Sequence, residues 1–354
     1  MHTEKKTARK WPGYVGLFVG VILIAYLFSK VDLKSSARLI GSIGFSSLLI
    51  PLPFLFLHLI ETAAWQKLFP PGSRPTSFFR LFKIQVVSET ISMTLPAGVA
   101  VGEPLRPLLC RRFLGIPLPD GFASVAVRKL LLGMTQGIYT LIGVAAGFAL
   151  LQEASVKVIG IGGLGIILAL AGVSVTLVFL LMLILVTNGK AVQSLYDILM
   201  KVPFSRVRDW LVSKKDGFAE TDRKLRNVKS GGLVNLLPVL ALYIAAWMML
   251  ALESYLILSL LGLKVTFLQV LAFDTALVLL RAIFFFIPSG LGIQDLGYLA
   301  FFQAIGLPDY LAYGGAFVLL RRLKEVVWYS IGYTIMFTEG IHLQDAQQAG
   351  EEGA

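Results

Sequence analysis

Long apolar segments separated by short polar ones run through nearly the whole chain. A helix of about 20 apolar residues crosses the hydrocarbon layer of a membrane, and six segments have this character. They lie at about 13–29, 45–68, 121–151, 158–186, 233–261 and 310–337. The pattern predicts an all-α polytopic membrane protein with six full transmembrane helices. One transmembrane domain over residues 13–340 would follow a basic N-terminus, 1–12, and precede a polar tail, 341–354.

Two further apolar regions are interrupted by proline and glycine. Proline removes a backbone donor and glycine loosens a helix, and each freed backbone group costs several kcal/mol in hydrocarbon. Such breaks are tolerated only inside protein or beside a wet cavity, so each region is predicted to be a re-entrant helical hairpin. The residues assigned to the breaks are Pro96, Gly98, Gly102, Pro288, Gly290 and Gly292.

The two interrupted regions are similar to each other. Pro288 follows Pro96 by 192 residues, and Gly290 follows Gly98 by the same distance. The repeats cover about 77–151 and 267–337. If the N-terminus and the central loop are cytoplasmic, the first hairpin enters from the inside and the second from the outside. Paired broken helices in an inverted-topology repeat indicate a transport site near the membrane midplane.

The central polar segment, 187–231, contains ten cationic and five acidic residues. This excess fits the positive-inside rule, so the segment is expected in the cytoplasm, as are both termini. Its apolar residues recur at helical spacing, as in a helix lying on the membrane surface. It is either a platform that senses lipid headgroups or a solvated connector. A prokaryotic cytoplasmic (inner) membrane is the expected location.

Composition narrows the function classes. Residues are 56% hydrophobic and only 15% charged, against roughly 25% charged in soluble domains, which excludes a sizeable soluble catalytic domain. The net charge of +11 indicates anionic lipid headgroups rather than nucleic acid. One cysteine and three histidines give no metal-ligand spacing. No metal or cofactor is expected.

Charged residues occur within or beside the apolar segments, where a charge costs about 2.5–3.5 kcal/mol at the bilayer centre. They should therefore face one another or a hydrated cavity. The cations predicted to bind substrate are Arg106, Arg128, Lys129, Arg281, Arg321 and Arg322. The acids predicted to balance charge or exchange protons are Glu89, Glu103, Asp274, Asp295 and Glu325. Alternatively, these residues form static ion pairs that lock the hairpins.

Two motifs carry a family resemblance. They are Leu95-Pro96-Ala97-Gly98 followed by Gly102-Glu103-Pro104-Leu105-Arg106, and Ile287-Pro288-Ser289-Gly290-Leu291-Gly292-Ile293-Gln294-Asp295 followed by Arg321. In these residues the chain resembles the flippase-like integral membrane family that includes the membrane half of lysylphosphatidylglycerol synthases, with hopanoid-associated and archaeal glycosylation-associated relatives. The similarity extends over about 13–340.

The resemblance implies a polytopic protein with re-entrant helices that moves a lipid between leaflets. It does not imply that the protein synthesises the lipid. Family members often have an acid just after the arginine matched here by Arg128, whereas this chain has Lys129. The difference favours an anionic, phosphate-bearing lipid over a zwitterionic or cationic one.

The expected function is that of a lipid flippase or transporter, not an enzyme. A polar-headed lipid, anionic or isoprenoid-type, would pass through a charged cavity between the hairpins. No phosphate-binding loop for ATP is present in the sequence. One alternative is a non-transporting partner of an envelope lipid or glycan biosynthesis enzyme. Another is an intramembrane transferase with Glu103 or Asp295 as general base. The oligomeric state stays open.

Overall fold

The computed structural model describes residues 11–70, 72–95, 98–187, 236–284 and 287–341, and within them the chain is all-helical, with no β-strand. The central segment predicted to be a cytoplasmic amphipathic insert lies outside these residues except for Thr187. The helices are α1 (Trp11–Lys30), α2 (Leu33–Ile43), α3 (Leu52–Gln66), α4 (Phe78–Thr94), α5 (Gly98–Leu114), α6 (Leu118–Ile159), α7 (Leu164–Thr187), α8 (Leu237–Leu260), α9 (Phe267–Ile283), α10 (Ile293–Ala304) and α11 (Tyr310–Thr338). Short 3₁₀ turns occupy Gly44–Leu49 and Pro288–Gly290.

Four of the described segments are long and apolar enough to cross a membrane. They are Leu33–Gln66, Leu118–Lys157, Leu164–Val186 and Leu237–Leu260. The sequence predicted six. Helix α11 is 29 residues long, which is long enough to cross a membrane. It has four charged residues from Arg321 to Glu325, and these make it less apolar than the four segments above.

The second predicted span, 45–68, is divided in the structure. Residues Gly44–Leu49 form a 3₁₀ turn, and α3 begins only at Leu52. Pro51 and Pro53 explain this boundary, because proline fits the first turn of a helix and not its interior. Before α2, the Asp32 side chain accepts a hydrogen bond from the Ser35 backbone N–H at 3.0 Å, and this capping contact lowers the pKa of Asp32.

Helix α6 is the centre of the bundle and packs against α5, α7, α8, α9 and α10. Small residues allow this close packing, as is usual between helices in membranes. A Cβ atom placed on Gly137 would lie 2.7 Å from the carbonyl oxygen of Gly172 in α7. A Cβ atom on Gly143 would collide with Thr275 of α9. The glycines of α6 therefore fix the distance to both neighbours.

The first hairpin consists of α4 and α5, which pack against each other. Residues 96 and 97 lie outside the described part of the chain, and α5 begins at Gly98. Gly102, which the sequence assigned to the break, lies one turn inside α5. Its role is close packing, because a Cβ atom there would lie 2.6 Å from the carbonyl oxygen of Ser88 in α4.

Replacement of Gly102 by alanine is expected to destabilise the protein by about 1–3 kcal/mol, the usual cost of overpacking a tight contact. The added methyl group would force α4 and α5 apart. Thermal unfolding in detergent would measure the loss. Gly41→Ala in α2 is the matched control, because nothing lies within 4 Å of its Cβ position. Equal unfolding temperatures for Gly102→Ala and the unsubstituted protein would contradict the packing role.

The second hairpin consists of α9 and α10, which also pack against each other. Between them the backbone takes the left-handed conformation at Ser289, Gly290 and Gly292, with φ of 52°, 62° and 78°. Glycine adopts this conformation without strain. The Asp295 Oδ2 atom then accepts a hydrogen bond from the Gly292 backbone N–H at 2.9 Å, which begins α10. The predicted break at Gly290 and Gly292 is thus a real interruption of the helix.

Candidate functional site

Charged side chains from four helices meet beside the first hairpin, together with Gln85, and all but the exposed Lys129 are buried or partly buried. We call this group the first charge cluster. Its members are Glu61 of α3, Gln85 and Glu89 of α4, Glu103 and Arg106 of α5, and Arg128 and Lys129 of α6.

Arg106 is fully buried and lies at the centre of this cluster. Its guanidinium contacts Glu89 at 3.0 Å and Glu103 at 3.3 Å, and it donates a hydrogen bond to Gln85 Oε1. Its charge also faces the ring of Trp65 at 5.6 Å. Two carboxylates and an aromatic face thus compensate this one cation and hold it in place.

Arg128 and Lys129 are compensated in the same way. Arg128 contacts Glu61 at 2.9 Å and Glu103 at 3.8 Å, and Lys129 contacts Glu103 at 2.7 Å. Glu61 also accepts a hydrogen bond from Gln85 at 2.5 Å. Three carboxylates and three cations thus balance within the cluster. Sequence reasoning missed Glu61, although a lone acid in the apolar segment 45–68 was a usable signal.

A second charge cluster lies beside the second hairpin and is formed by Glu253 of α8, Asp295 of α10, and Arg322, Lys324 and Glu325 of α11. Arg322 forms ion pairs with Asp295 and, at 2.6 Å, with Glu325. Lys324 forms an ion pair with Glu253 at 2.9 Å. Glu253 is the second acid that sequence reasoning missed.

Asp274 of α9 does not join either cluster. Its Oδ1 atom accepts hydrogen bonds from Tyr298 at 2.6 Å and Ser254 at 3.3 Å, and its Oδ2 atom accepts one from Tyr139 at 2.8 Å. The carboxyl group is only 2% exposed. Hydroxyl groups from α6, α8 and α10 therefore stabilise it in place of a cation. The Arg321 guanidinium lies 5.1 Å from the centre of the Tyr298 ring.

Removing one hydroxyl donor from Asp274 is expected to destabilise the protein by about 1.5–3 kcal/mol, the range for hydrogen bonds to charged groups. Tyr139→Phe makes this change and keeps the ring stacked on Trp247 at 5.7 Å. Unfolding in detergent is the measurement. The control is Tyr313→Phe, whose hydroxyl bonds to nothing in the described part of the chain. Equal losses in both variants would contradict the role given to the Tyr139 hydroxyl.

A third polar group lies where the two hairpins touch. We call it the hairpin junction, and its members are Met93 and Thr94 at the end of α4, Arg281 in α9, Ser289 in the second break, and Tyr329 and Tyr333 in α11. All six side chains are partly buried.

The contacts at the hairpin junction join the two halves of the protein. The Ser289 hydroxyl donates to the Met93 carbonyl oxygen at 3.3 Å and lies 2.6 Å from the Tyr329 hydroxyl. The Thr94 and Tyr333 hydroxyls are 2.5 Å apart. Among the described residues, the Arg281 guanidinium donates only to the sulfur of Met93, at 2.9 Å. Since sulfur is a weak acceptor, this cation is poorly satisfied.

The six cations predicted to bind substrate therefore fall into two groups. Arg106, Arg128, Lys129 and Arg322 are paired with carboxylates. Arg281 and Arg321 have no carboxylate partner among the described residues, and Arg321 is buried against Gln294 at 3.3 Å. Arg281 combines partial exposure with neighbouring hydroxyl groups. Such a group can hold a phosphate through charge-assisted hydrogen bonds.

The fold and these clusters define an integral membrane protein built on helical hairpins, with buried ion pairs beside each one. The chain belongs to a known family of this kind, because the family model for the lysylphosphatidylglycerol synthase transmembrane region matches residues 14–331. This family is the transmembrane region of the synthase and not its catalytic domain. The resemblance seen in the sequence is thereby confirmed.

A relative in Methanothermobacter thermautotrophicus, described as a UPF0104 membrane protein, is similar over 234 residues at 26% identity. The match covers 63% of this chain and 63% of the relative. The chain thus matches less than two thirds of that protein's length. This similarity shows that the chain resembles another membrane protein, and it shows no activity.

Proposed function

We propose that this protein moves a polar-headed lipid between the leaflets of a prokaryotic cytoplasmic membrane. The observation that carries the proposal is the hairpin junction. Two interrupted helical hairpins touch there, and Arg281 lies between them with hydroxyl groups nearby and no carboxylate among the described residues. An uncompensated cation among apolar helices is costly, so its presence favours a ligand that brings a negative charge.

The contacts at the two ends of α6 support an inverted arrangement of the hairpins. The open end of the first hairpin lies near the start of α6. There Arg80, at the beginning of α4, donates to the carbonyl oxygen of Phe113, at the end of α5, at 3.3 Å. Near the end of α6, Lys157 donates to the Ala304 carbonyl oxygen, the last residue of α10, at 3.2 Å. We therefore infer that the hairpins are re-entrant and open to opposite faces. The excess of cationic residues in 187–231 supports a cytoplasmic position for both termini.

An anionic, phosphate-bearing lipid is the proposed substrate. Its phosphate would bind Arg281 and the junction hydroxyls, while its acyl chains stay in the membrane. The two charge clusters then serve as locks that hold the arms of each hairpin, because their cations and acids already compensate one another. Of the six cations predicted to bind substrate, we therefore propose this role for Arg281 and a structural role for Arg106, Arg128, Lys129 and Arg322.

Leaflet exchange in liposomes tests this proposal. The purified full chain would be reconstituted with trace headgroup-labelled lipids, and a membrane-impermeant quencher would report the outer-leaflet fraction over time. We expect labelled phosphatidylglycerol and a labelled isoprenoid phosphate to exchange faster than in protein-free liposomes, and phosphatidylcholine to exchange more slowly than either. Exchange at the protein-free rate, with and without a proton gradient, would overturn the proposal and favour a non-transporting partner of an envelope enzyme.

A further inference from the structure

A recess of about 410 Å³ opens at the base of the first hairpin, where the start of α4, the end of α5 and the end of α11 meet. Its polar side chains are those of Arg80, Lys83, Arg112 and Glu339, and the others are apolar. Cations therefore outnumber acids among the lining side chains. None of these residues belongs to the charge clusters or to the hairpin junction.

Backbone oxygens position the two arginines of the recess. Arg80 donates to the Phe113 carbonyl oxygen at 3.3 Å, and Arg112 donates to the Gly340 carbonyl oxygen at 3.0 Å. A neutral carbonyl group orients the Arg80 guanidinium without cancelling its charge. Lys83 forms an ion pair with Glu339 at 2.5 Å. Both Lys83 and Arg80 are exposed, so an incoming anion can reach them.

Apolar surface adjoins this basic recess. The floor includes Ile84, only 3% exposed, and Ile341, 6% exposed. Two large rings lie next to the lining residues in the sequence: Phe79 beside Arg80 is 73% exposed, and Phe337, between Ile335 and Glu339, is 87% exposed. Large exposed apolar side chains are typical of surfaces that contact a membrane. Charge and apolar surface together match a molecule with an anionic head and an acyl tail.

We propose that the recess binds the phosphate-bearing headgroup of an anionic phospholipid through Arg80 and Lys83, with its acyl chains beside Phe79 and Phe337. The site is separate from the hairpin junction. Lys83 precedes Met93 by ten residues of α4, which corresponds to about 15 Å along a helix. The proposal does not depend on lipid transport, since a lipid can occupy the recess whether or not the protein moves lipids.

Native mass spectrometry of the detergent-solubilised full chain tests the site. Phosphatidylglycerol would be titrated, with phosphatidylcholine and inorganic phosphate as separate arms. Arg80→Gln combined with Lys83→Gln is expected to weaken phosphatidylglycerol binding about thirtyfold, because two basic residues at a membrane surface are lost. Lys157→Gln is the matched control, since it removes an exposed lysine from the opposite end of α6.

Two further variants separate binding from folding. Glu339→Gln removes the one acid among the described residues that line the recess and is expected to tighten phosphatidylglycerol binding, which a merely unfolded protein would not do. Arg80→Lys with Lys83→Arg keeps the charge and should keep the binding. Equal affinities for phosphatidylglycerol in the Arg80→Gln/Lys83→Gln variant and the control would overturn the proposal. Displacement of the lipid by inorganic phosphate at equal concentration would also overturn it and would indicate a site for free anions.

Discussion

Arg281→Gln is expected to abolish most lipid exchange while the protein remains folded. The guanidinium has no carboxylate partner among the described residues, so its removal leaves no buried acid uncompensated. What is lost is the charge-assisted contact with the lipid phosphate. A hydrogen bond to a charged group is worth about 1.5–3 kcal/mol, which corresponds to a loss of roughly tenfold to hundredfold in exchange rate. The liposome quenching assay gives the rate, and thermal unfolding in detergent reports the folding.

Two arginine variants control this experiment. Arg281→Lys keeps a positive charge at the hairpin junction and should retain part of the exchange, although lysine lacks the planar fork of arginine. Arg38→Gln removes an exposed arginine of α2 and should exchange lipid at the unsubstituted rate. If Arg281→Gln exchanges lipid as fast as Arg38→Gln does, Arg281 does not hold the substrate.

The positions of the helix interruptions were predictable because they depend on local chemistry. Proline and glycine act through the backbone of their own segment, so the second break was visible in the sequence as Pro288, Gly290 and Gly292. The structure adds left-handed backbone at Ser289, which no pattern of residue types specifies. It also moves Gly102 from a break to a packing contact, since the partner of that contact is in another helix.

The pairing of the charges was not predictable, because it depends on which helices are neighbours. Glu61 and Glu253 lie in helices that read as ordinary apolar spans, yet each compensates a cation from a distant part of the chain. Without Glu61, Arg128 looked like a cation available to a ligand. Arg281 was one of six similar predictions. Only the contacts around it distinguish it from the arginines that carboxylates already hold.

The number of membrane spans illustrates a different limit. Length and apolarity are sequence properties, and within the described residues they support four spans. Helix α11 carries its charges because Glu253, Asp295 and Glu325 compensate them. A helix can thus be apolar toward its surroundings and charged toward its partners. The mean hydropathy of the helix does not show this difference between its two faces.

Glu61→Leu is expected to destabilise the protein by about 3–5 kcal/mol, the usual cost of removing one partner of a buried ion pair. Arg128 is only 2% exposed, and the substitution would leave it with Glu103 alone, at 3.8 Å. Gln85 would lose its acceptor as well. Unfolding by sodium dodecyl sulfate in mixed micelles measures the free energy of unfolding.

The double variant Glu61→Leu with Arg128→Met tests whether the first charge cluster is a structural ion-pair network or a substrate-binding site. Replacing both members of a buried pair by apolar residues is often neutral or stabilising, so the double variant should regain most of the stability that Glu61→Leu loses. Glu103 would keep Arg106 at 3.3 Å and Lys129 at 2.7 Å. If the first charge cluster is a lock, the double variant also exchanges lipid at nearly the unsubstituted rate. A stable double variant that exchanges no lipid would instead place Arg128 on the path of the substrate, because only a ligand contact would then be missing.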